Sequence, residues 1–289
     1  MSDFIICVDS SCDMSIDDCN KIGVIPIKIK YQINDEIFDD SMEVKEQLEF
    51  YQKMRDGAVP KTSQINTMEF VDFWSELLKK NKPIIQLVLG SEISGTYNNA
   101  VNAKNIVLEN NPLADITVID TTGASCVMAV LANIAAQMRD DGKSKAEVID
   151  WLENTKHNVQ AIYTTNDLIY LHRGGRLSKG GLIIASTLGI KPVLKLNFKG
   201  GLYTAGKVRG KEAIKRKLAE EIRDNVIDSE NQYLYVAHAD GEIYADECLS
   251  EILKLSKFKG VKKSYIGATV GAHAGPGLVA YFFIGKTRE

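Results

Sequence analysis

Continuous apolar runs, alternating apolar positions and 3.6-period stripes follow one another through the first half of the chain. "FIICVD" (4–9), "IIQLVLG" (84–90) and "ITVID" (116–120) are apolar at nearly every position, the pattern of strands covered on both faces of a parallel sheet. "VIPIKIKYQI" (24–33) instead alternates, with Ile25, Ile27, Ile29, Tyr31 and Ile33 in period two. That predicts one strand with a single buried face, and Pro26 places it at a sheet edge or a strand start. Helices fall between these runs. "NTMEFVDFWSELLKK" (66–80) sets Phe70, Phe73, Trp74, Leu77 and Leu78 on one stripe behind an Asn66–Glu69 capping box. "ASCVMAVLANIAAQM" (124–138) is apolar almost all round and predicts a helix buried under the sheet, while Ser144 and Glu147 open another helix with a second capping box. The alternating order predicts an α/β half with a mainly parallel sheet flanked by helices.

The second half has a different rhythm. "AIYTT" (161–165) leads to the Gly/Arg segment "LHRGGRLSKGG" (171–181), and "IKPVLKLNFKGGLYTAGKVRG" (190–210) predicts a hairpin turning at Lys199-Gly200-Gly201. A charged helix (211–227), the strand "YLYVAHA" (233–239) and a helix (243–257) follow. The chain then closes with two strands, "SYIGATV" (264–270) and "LVAYFFIG" (278–285), joined by "GAHAGPG" (271–277) as a loop. Hairpins mixed with helices predict an α+β layer sandwich. The change of rhythm puts a boundary near 155–160, giving an N-terminal domain over 1–157 and a C-terminal domain over 158–289. No linker rich in Pro, Ser or Gly marks it, so the halves are expected to pack tightly.

Composition removes several classes of function. The chain has 289 residues, 45% hydrophobic and 25% charged, with a formal charge of -3, which gives no general attraction to nucleic acid or anionic membrane. "MSD" carries no basic n-region and the run Phe4–Val8 is too short for a signal peptide or a membrane span. Five scattered cysteines form no CxxC pair, as expected of reduced thiols in a cytoplasmic protein. Cys7, Cys12 and Cys19 lack a histidine or fourth cysteine to complete a metal set, so no metal is expected.

The loops hold the candidate chemistry. Gly90 to Gly95 in "LGSEISGTYNNA" has the spacing of a phosphate loop, but Thr96 stands where the lysine is needed. A nucleophile elbow also fails, because Glu92 occupies the place of its first glycine. What remains is Ser94 near a helix start, either as an anion contact or as a cap. Thr62 and Ser63 in "KTSQ" read the same way, as caps or as ligand contacts. "DSSCD" (9–13) ends the first strand at the carboxyl edge of the expected parallel sheet, where such sheets place ligands. His273 lies among glycines in "GAHAGPG", so a ligand can approach it closely. Ser94, His273 and a carboxylate such as Asp9 or Asp120 would also compose a hydrolase triad. Arg173, Arg176 and Lys179, with Lys207 and Arg209 nearby, are candidates for an anion or acidic partner.

The motifs "VDSSCDM" (8–14), "KTSQ" (61–64), "SEISGTYNNA" (91–100), "VIDT" (118–121), "LIYLHRGGRLS" (168–178), "LGIKPVL" (188–194) and "HAGPG" (273–277) occur in this order along nearly the whole chain. Together they resemble the DegV family, which includes the FakB fatty-acid-binding proteins. The resemblance implies a two-domain fold with a long-chain fatty acid held between the domains. It implies a carboxylate anchored by the hydroxyls of Thr62 and Ser94, with His273 beside them and Ser63 next to Thr62. It implies a carrier without catalytic residues, cofactor or stable membrane insertion. The expected partner is a separate ATP-dependent fatty acid kinase that forms an acyl phosphate for phospholipid synthesis, met by Arg173, Arg176 and Arg209. The alternative is a serine hydrolase or acyl transferase using Ser94 and His273. Glu92 departs from the family pattern and would set a negative charge near the anion site unless it points to solvent.

Overall fold

The computed structural model describes residues 4–177 and 189–289. Lys179 and the rest of the segment 178–188 lie outside the described residues, as do residues 1–3. The first half runs β1 (Ile5–Asp9), α1 (Ile16–Lys21), β2 (Val24–Ile27), β3 (Lys30–Ile33), β4 (Glu36–Asp39), α2 (Val44–Arg55) and β5 (Lys61–Thr62). It continues with α3 (Thr67–Leu78), β6 (Ile84–Val88), α4 (Thr96–Asn110), β7 (Ile116–Asp120), α5 (Cys126–Asp140) and α6 (Lys145–Thr155). The second half runs β8 (Val159–Thr164), α7 (Ile169–Arg173), β9 (Ile190–Leu196), β10 (Leu202–Arg209), α8 (Lys211–Asn225) and β11 (Tyr233–His238). It ends with α9 (Glu242–Leu255), β12 (Gly260–Tyr265), α10 (Ala268–Ala274) and β13 (Val279–Ile284).

The strands sort into three sheets. One is parallel throughout, in the order β2-β1-β6-β7; β1 and β6 are buried at every position, as their unbroken apolar runs require. A six-stranded sheet in the order β10-β9-β8-β13-β11-β12 is antiparallel except where β11 meets β12. A small antiparallel sheet, β4-β3-β5, stands apart. The all-round apolar helix α5 packs on β1 and β6 of the parallel sheet and on β8, β11 and β13 of the large one. It therefore lies between the two sheets, and one core runs continuously from Ile6 through Val130 to Phe282. A second core lies on the far face of the large sheet, where Ile214, Leu218 and Ile222 of α8 and Cys248 and Ile252 of α9 meet Val236 and Tyr281. Both capping boxes form, at Asn66–Glu69 and Ser144–Glu147.

Two expectations fail locally. Residues 24–33 are not one strand: Pro26 sits on the edge strand β2 as predicted, but the chain leaves the sheet after Ile27. The Ile29 N–H donates to Ser10 Oγ at 3.0 Å and its carbonyl accepts from Asp40 N at 2.8 Å. Its backbone groups are thus unavailable to a ladder with β1, although the period-two pattern reads on undisturbed. "SYIGATV" is also not a single strand. It ends at Tyr265, and residues 268–274 form the helix α10, so His273 lies in a helix and not in a loop. Two carboxylates remote in sequence start that helix: Asp13 Oδ1 accepts from Gly267 N at 2.8 Å, and Asp40 Oδ2 accepts from Thr269 N at 3.0 Å and from its hydroxyl at 2.6 Å.

Candidate functional site

Three parallel neighbours, β1, β6 and β7, deliver "DSSCD", "GSEISGT" and "TTGAS" to the same carboxyl edge, the place where open parallel sheets form ligand crevices. Asp9 ties the first two together. It accepts from Ser11 N at 3.0 Å and from Leu89 N at 2.7 Å, and its contact with the Ser11 hydroxyl is short. Burial pushes this carboxyl up to about 6 despite those donors. Asp120 accepts from Ser91 N and Thr122 N and steadies the other two loops. Both acids are engaged in holding loops.

Beside this edge lies a cavity of about 1000 Å³, counted out to its mouth. Its walls come from both halves of the chain: Ile29, Leu89 and Ile93 from one, Leu196, Val270 and Leu278 from the other. Thr62, Ser63, Ser94, Arg176 and His273 all line it, so residues remote in sequence meet as expected. Thr62 ends the two-residue strand β5 opposite Tyr31, which aims its hydroxyl at His273 Nε2, 2.8 Å away. Ser63 takes a different part, donating its hydroxyl to the Lys30 carbonyl at 3.2 Å. Neither residue caps α3; Asn66 does that.

Ser94 precedes Gly95, the N-cap of α4. Its oxygen accepts from Thr96 N at 3.3 Å and lies 2.9 Å from the Thr96 hydroxyl. The fifteen-residue helix α4 thus begins at the cavity wall, where its free N–H groups and dipole favour negative charge. Gly95 leaves room for a neighbour: a Cβ there would stand 2.6 Å from Gln64 Oε1 and would push that amide aside. Gln64 in turn accepts from Asn99 at 3.3 Å, and the same Asn99 amide donates to the Ile65 carbonyl at 2.9 Å. Those bonds fasten "KTSQ" onto the start of α4 and so bring Thr62 toward Ser94.

The imidazole of His273 packs against Gly174, where a Cβ would stand 2.4 Å from its Nδ1. Desolvation, with the Arg176 cation second, lowers His273 to about 4, so the ring is neutral at pH 7. Its Nδ1 is buried without a partner, and no carboxylate among the described residues bonds either nitrogen. Arg176 donates to the carbonyls of Ile93 and Gly174, which holds its guanidinium at the polar end of the cavity; partial burial lowers its pKa. Arg173 lines an adjoining cavity with Lys61, Thr62, Arg176 and His273, so Thr62 and His273 stand between the two spaces. Arg209 is exposed at the end of β10 opposite Ile190 and lines neither. Glu92 is exposed and lies against Gly201, outside the cavity wall.

Ser125 and Gln64 were not singled out from the sequence. Ser125 is the N-cap residue of α5 at φ 60, donates its N–H to Ser11 O at 2.7 Å, and lines the cavity with its hydroxyl beside the Asp13 carboxyl. The signal was present in "TTGAS", a polar stretch between a buried strand and an apolar helix.

The cavity is thus largely apolar along its walls and carries hydroxyls, a neutral imidazole, the Arg176 guanidinium and a helix start at one end. A family model described as an uncharacterised protein of the DegV family matches residues 3–286, and the chain belongs to the DegV family. A DegV domain-containing protein of Clostridium perfringens is 34% identical over 294 residues, covering 100% of each chain. Among solved structures, a DegV lipid binding protein from Thermotoga maritima has a TM-score of 0.87 at 28% identity, covering 100% of both chains. DegV from Bacillus subtilis, described as a fatty acid binding protein, has a TM-score of 0.83 at 27% identity over 99% of this chain and 100% of its own. Among the described residues no helix is long and apolar enough to cross a membrane.

Proposed function

We propose that this protein is a carrier that holds one long-chain fatty acid, its tail in the apolar cavity and its carboxylate at Thr62 and Ser94, and presents it to a separate fatty acid kinase. The observation that carries the reading is the Thr62–His273 hydrogen bond at the polar end of an otherwise apolar cavity, beside the start of α4. Each methylene removed from water contributes roughly 0.8 kcal/mol, so the tail dominates affinity. The head needs donors that compensate its lost hydration. A neutral His273 that donates Nε2–H to Thr62 Oγ1 leaves the Thr62 proton free for the carboxylate. Ser94 Oγ–H, the first N–H groups of α4 and the Arg176 guanidinium supply further donors. The likeness to DegV proteins described as lipid binding and fatty acid binding supports the same ligand class.

In this reading the lobes 1–157 and 158–289 are the two domains that clasp the acid. Arg173 and Lys61, in the space on the other side of the Thr62–His273 pair, meet the kinase or the acyl phosphate. Five buried, unpaired cysteines fit a cytoplasmic location and a role upstream of phospholipid synthesis. The hydrolase alternative is disfavoured because Ser94 bonds Thr96 and not His273, and no acid orients His273.

Organic extraction and native mass spectrometry of the purified protein test the ligand. Fatty acid at about one per chain is expected from a single cavity of this kind, whereas protein that is consistently free of lipid and takes up none rejects the carrier. Arg173→Ala should lower acyl phosphate formation by added kinase and leave the fatty acid content unchanged. Hydrolysis of acyl esters that is lost in Ser94→Ala would establish the hydrolase instead.

A further inference from the structure

Tyr163 of β8 lines the acyl cavity, its ring edge-on to Phe282 with centroids 5.6 Å apart and planes at 88°. Burial pushes its phenol well up, and no described residue forms a hydrogen bond with the hydroxyl. Enclosed tyrosines ordinarily find a partner for that group. Tyr51 and Tyr281 do so here, donating to the carbonyls of Ile266 at 2.7 Å and Ala245 at 2.8 Å. A phenol kept among apolar neighbours without a partner carries its desolvation cost in full. Phenylalanine would fill the same wall without that cost, so the oxygen of Tyr163 calls for a partner from the cavity side.

The surroundings place that partner along the ligand and define its chemistry. Arg288, Cys126 and Asp13 are near enough to act electrostatically on the Tyr163 hydroxyl, whereas Arg176 acts on His273. Cys126 begins α5, directly after Ala124 and Ser125 of the cavity wall, and α5 packs on β8. The phenol therefore sits away from Thr62 and His273, beside the chain of a bound acid and not its head. Arg288 is buried, its guanidinium fixed by the carbonyls of Thr122 and Lys156 at 2.7 Å each. A cation near a phenol makes it the stronger acid and so the better donor. The missing partner is accordingly an acceptor.

We propose that Tyr163 is a specificity-determining residue for a fatty acid that carries a hydroxyl part-way along its chain. The oxygen of that hydroxyl accepts from the phenol, while the carboxylate stays at Thr62 and Ser94. A few polar groups in a largely apolar pocket fix what is bound and in which position. A hydroxyl elsewhere on the chain would meet apolar wall and lose its hydration without return. The subsite rests on the carrier reading, because the anchored head decides where along the chain the oxygen falls.

The test is displacement of a fluorescent fatty acid from the delipidated full chain by stearic acid and by a positional series of monohydroxystearic acids. One isomer is expected to bind about tenfold more tightly than the others, near the upper value of one neutral hydrogen bond. Tyr163→Phe removes only the phenol oxygen. It should weaken the favoured isomer about tenfold relative to stearic acid and so erase the preference. Isomers that all bind alike, or a preference that persists in Tyr163→Phe, overturn the subsite and leave water on the phenol. Weakening of stearic acid and the favoured isomer by the same factor also overturns it, because Tyr163 then serves only as wall. If neither the fluorescent acid nor stearic acid binds at all, the carrier reading itself fails and takes the subsite with it.

Discussion

At the scale of single residues, the polar end of the cavity combines the neutral groups of Thr62, Ser94 and His273 with the Arg176 guanidinium. Ser94→Ala removes a donor to a charged head and should weaken fatty acid retention about ten- to a hundredfold, read by displacement of a fluorescent acid. Gly174→Ala leaves the backbone unstrained but drives a methyl into the His273 ring. It should loosen the Thr62 contact and lower retention in the same assay, with little change in overall stability. His273 also gives a pH signature. Its folded value of about 4 lies below the ordinary 6.5, so only the unfolded chain takes a proton between them. Stability from this group is therefore complete above pH 6.5 and is lost as pH falls toward 4, by at most ~3 kcal/mol. Asp9, raised to about 6, acts with the opposite sign in the same window. The quantity to measure is thus the difference between wild type and His273→Phe in urea midpoint, which should shrink on acidification from pH 7 to pH 4. A constant difference would mean that His273 is not buried neutral. Thr62 and Ser94 were legible as candidates because their hydroxyls stood near expected helix starts, and His273 because it stood among glycines. Asp13 and Asp40 were not, since a carboxylate that starts a helix more than two hundred residues away leaves no local pattern.

At the scale of elements, the short helix α10 is the piece whose formation depends most on remote partners. Its sequence reads as the end of a strand followed by a glycine loop. Capping by Asp13 and Asp40, and the Tyr51 hydroxyl on the Ile266 carbonyl at 2.7 Å, override that preference. Asp40→Ala strands the Thr269 N–H and hydroxyl, and should cost about 1–3 kcal/mol in denaturant unfolding while reducing fatty acid retention through His273. Asn66→Ala removes a cap of ordinary kind at α3. It should cost about 1 kcal/mol in the same experiment and leave retention unchanged. The long elements were legible because their periodicity and caps are local. The break at Lys28–Ile29 was not, because a Ser10 hydroxyl and an Asp40 amide decide it.

At the scale of the whole molecule, the parallel sheet with flanking helices was legible from continuous apolar runs separated by helical stripes, and the second half as an α+β arrangement from its hairpins and helices. The small sheet β4-β3-β5, which carries Thr62, was not, because a two-residue strand has no period to read. A ligand that binds only the folded chain adds about 4 kcal/mol at a thousandfold excess over its dissociation constant. Delipidated protein should therefore melt several degrees below protein reloaded with fatty acid, by calorimetry; equal melting would argue against a specific fit. The helix α5 sets how such a ligand comes and goes. It is shared by both sheets within one unbroken core, so swinging the lobes apart would expose that core to water. For a bound fatty acid, exchange is then expected to proceed by local displacement of the cavity wall and not by separation of the lobes. A substitution in the two-residue strand β5 should change the off-rate read by displacement of a fluorescent acid, and an unchanged off-rate would place the exit elsewhere.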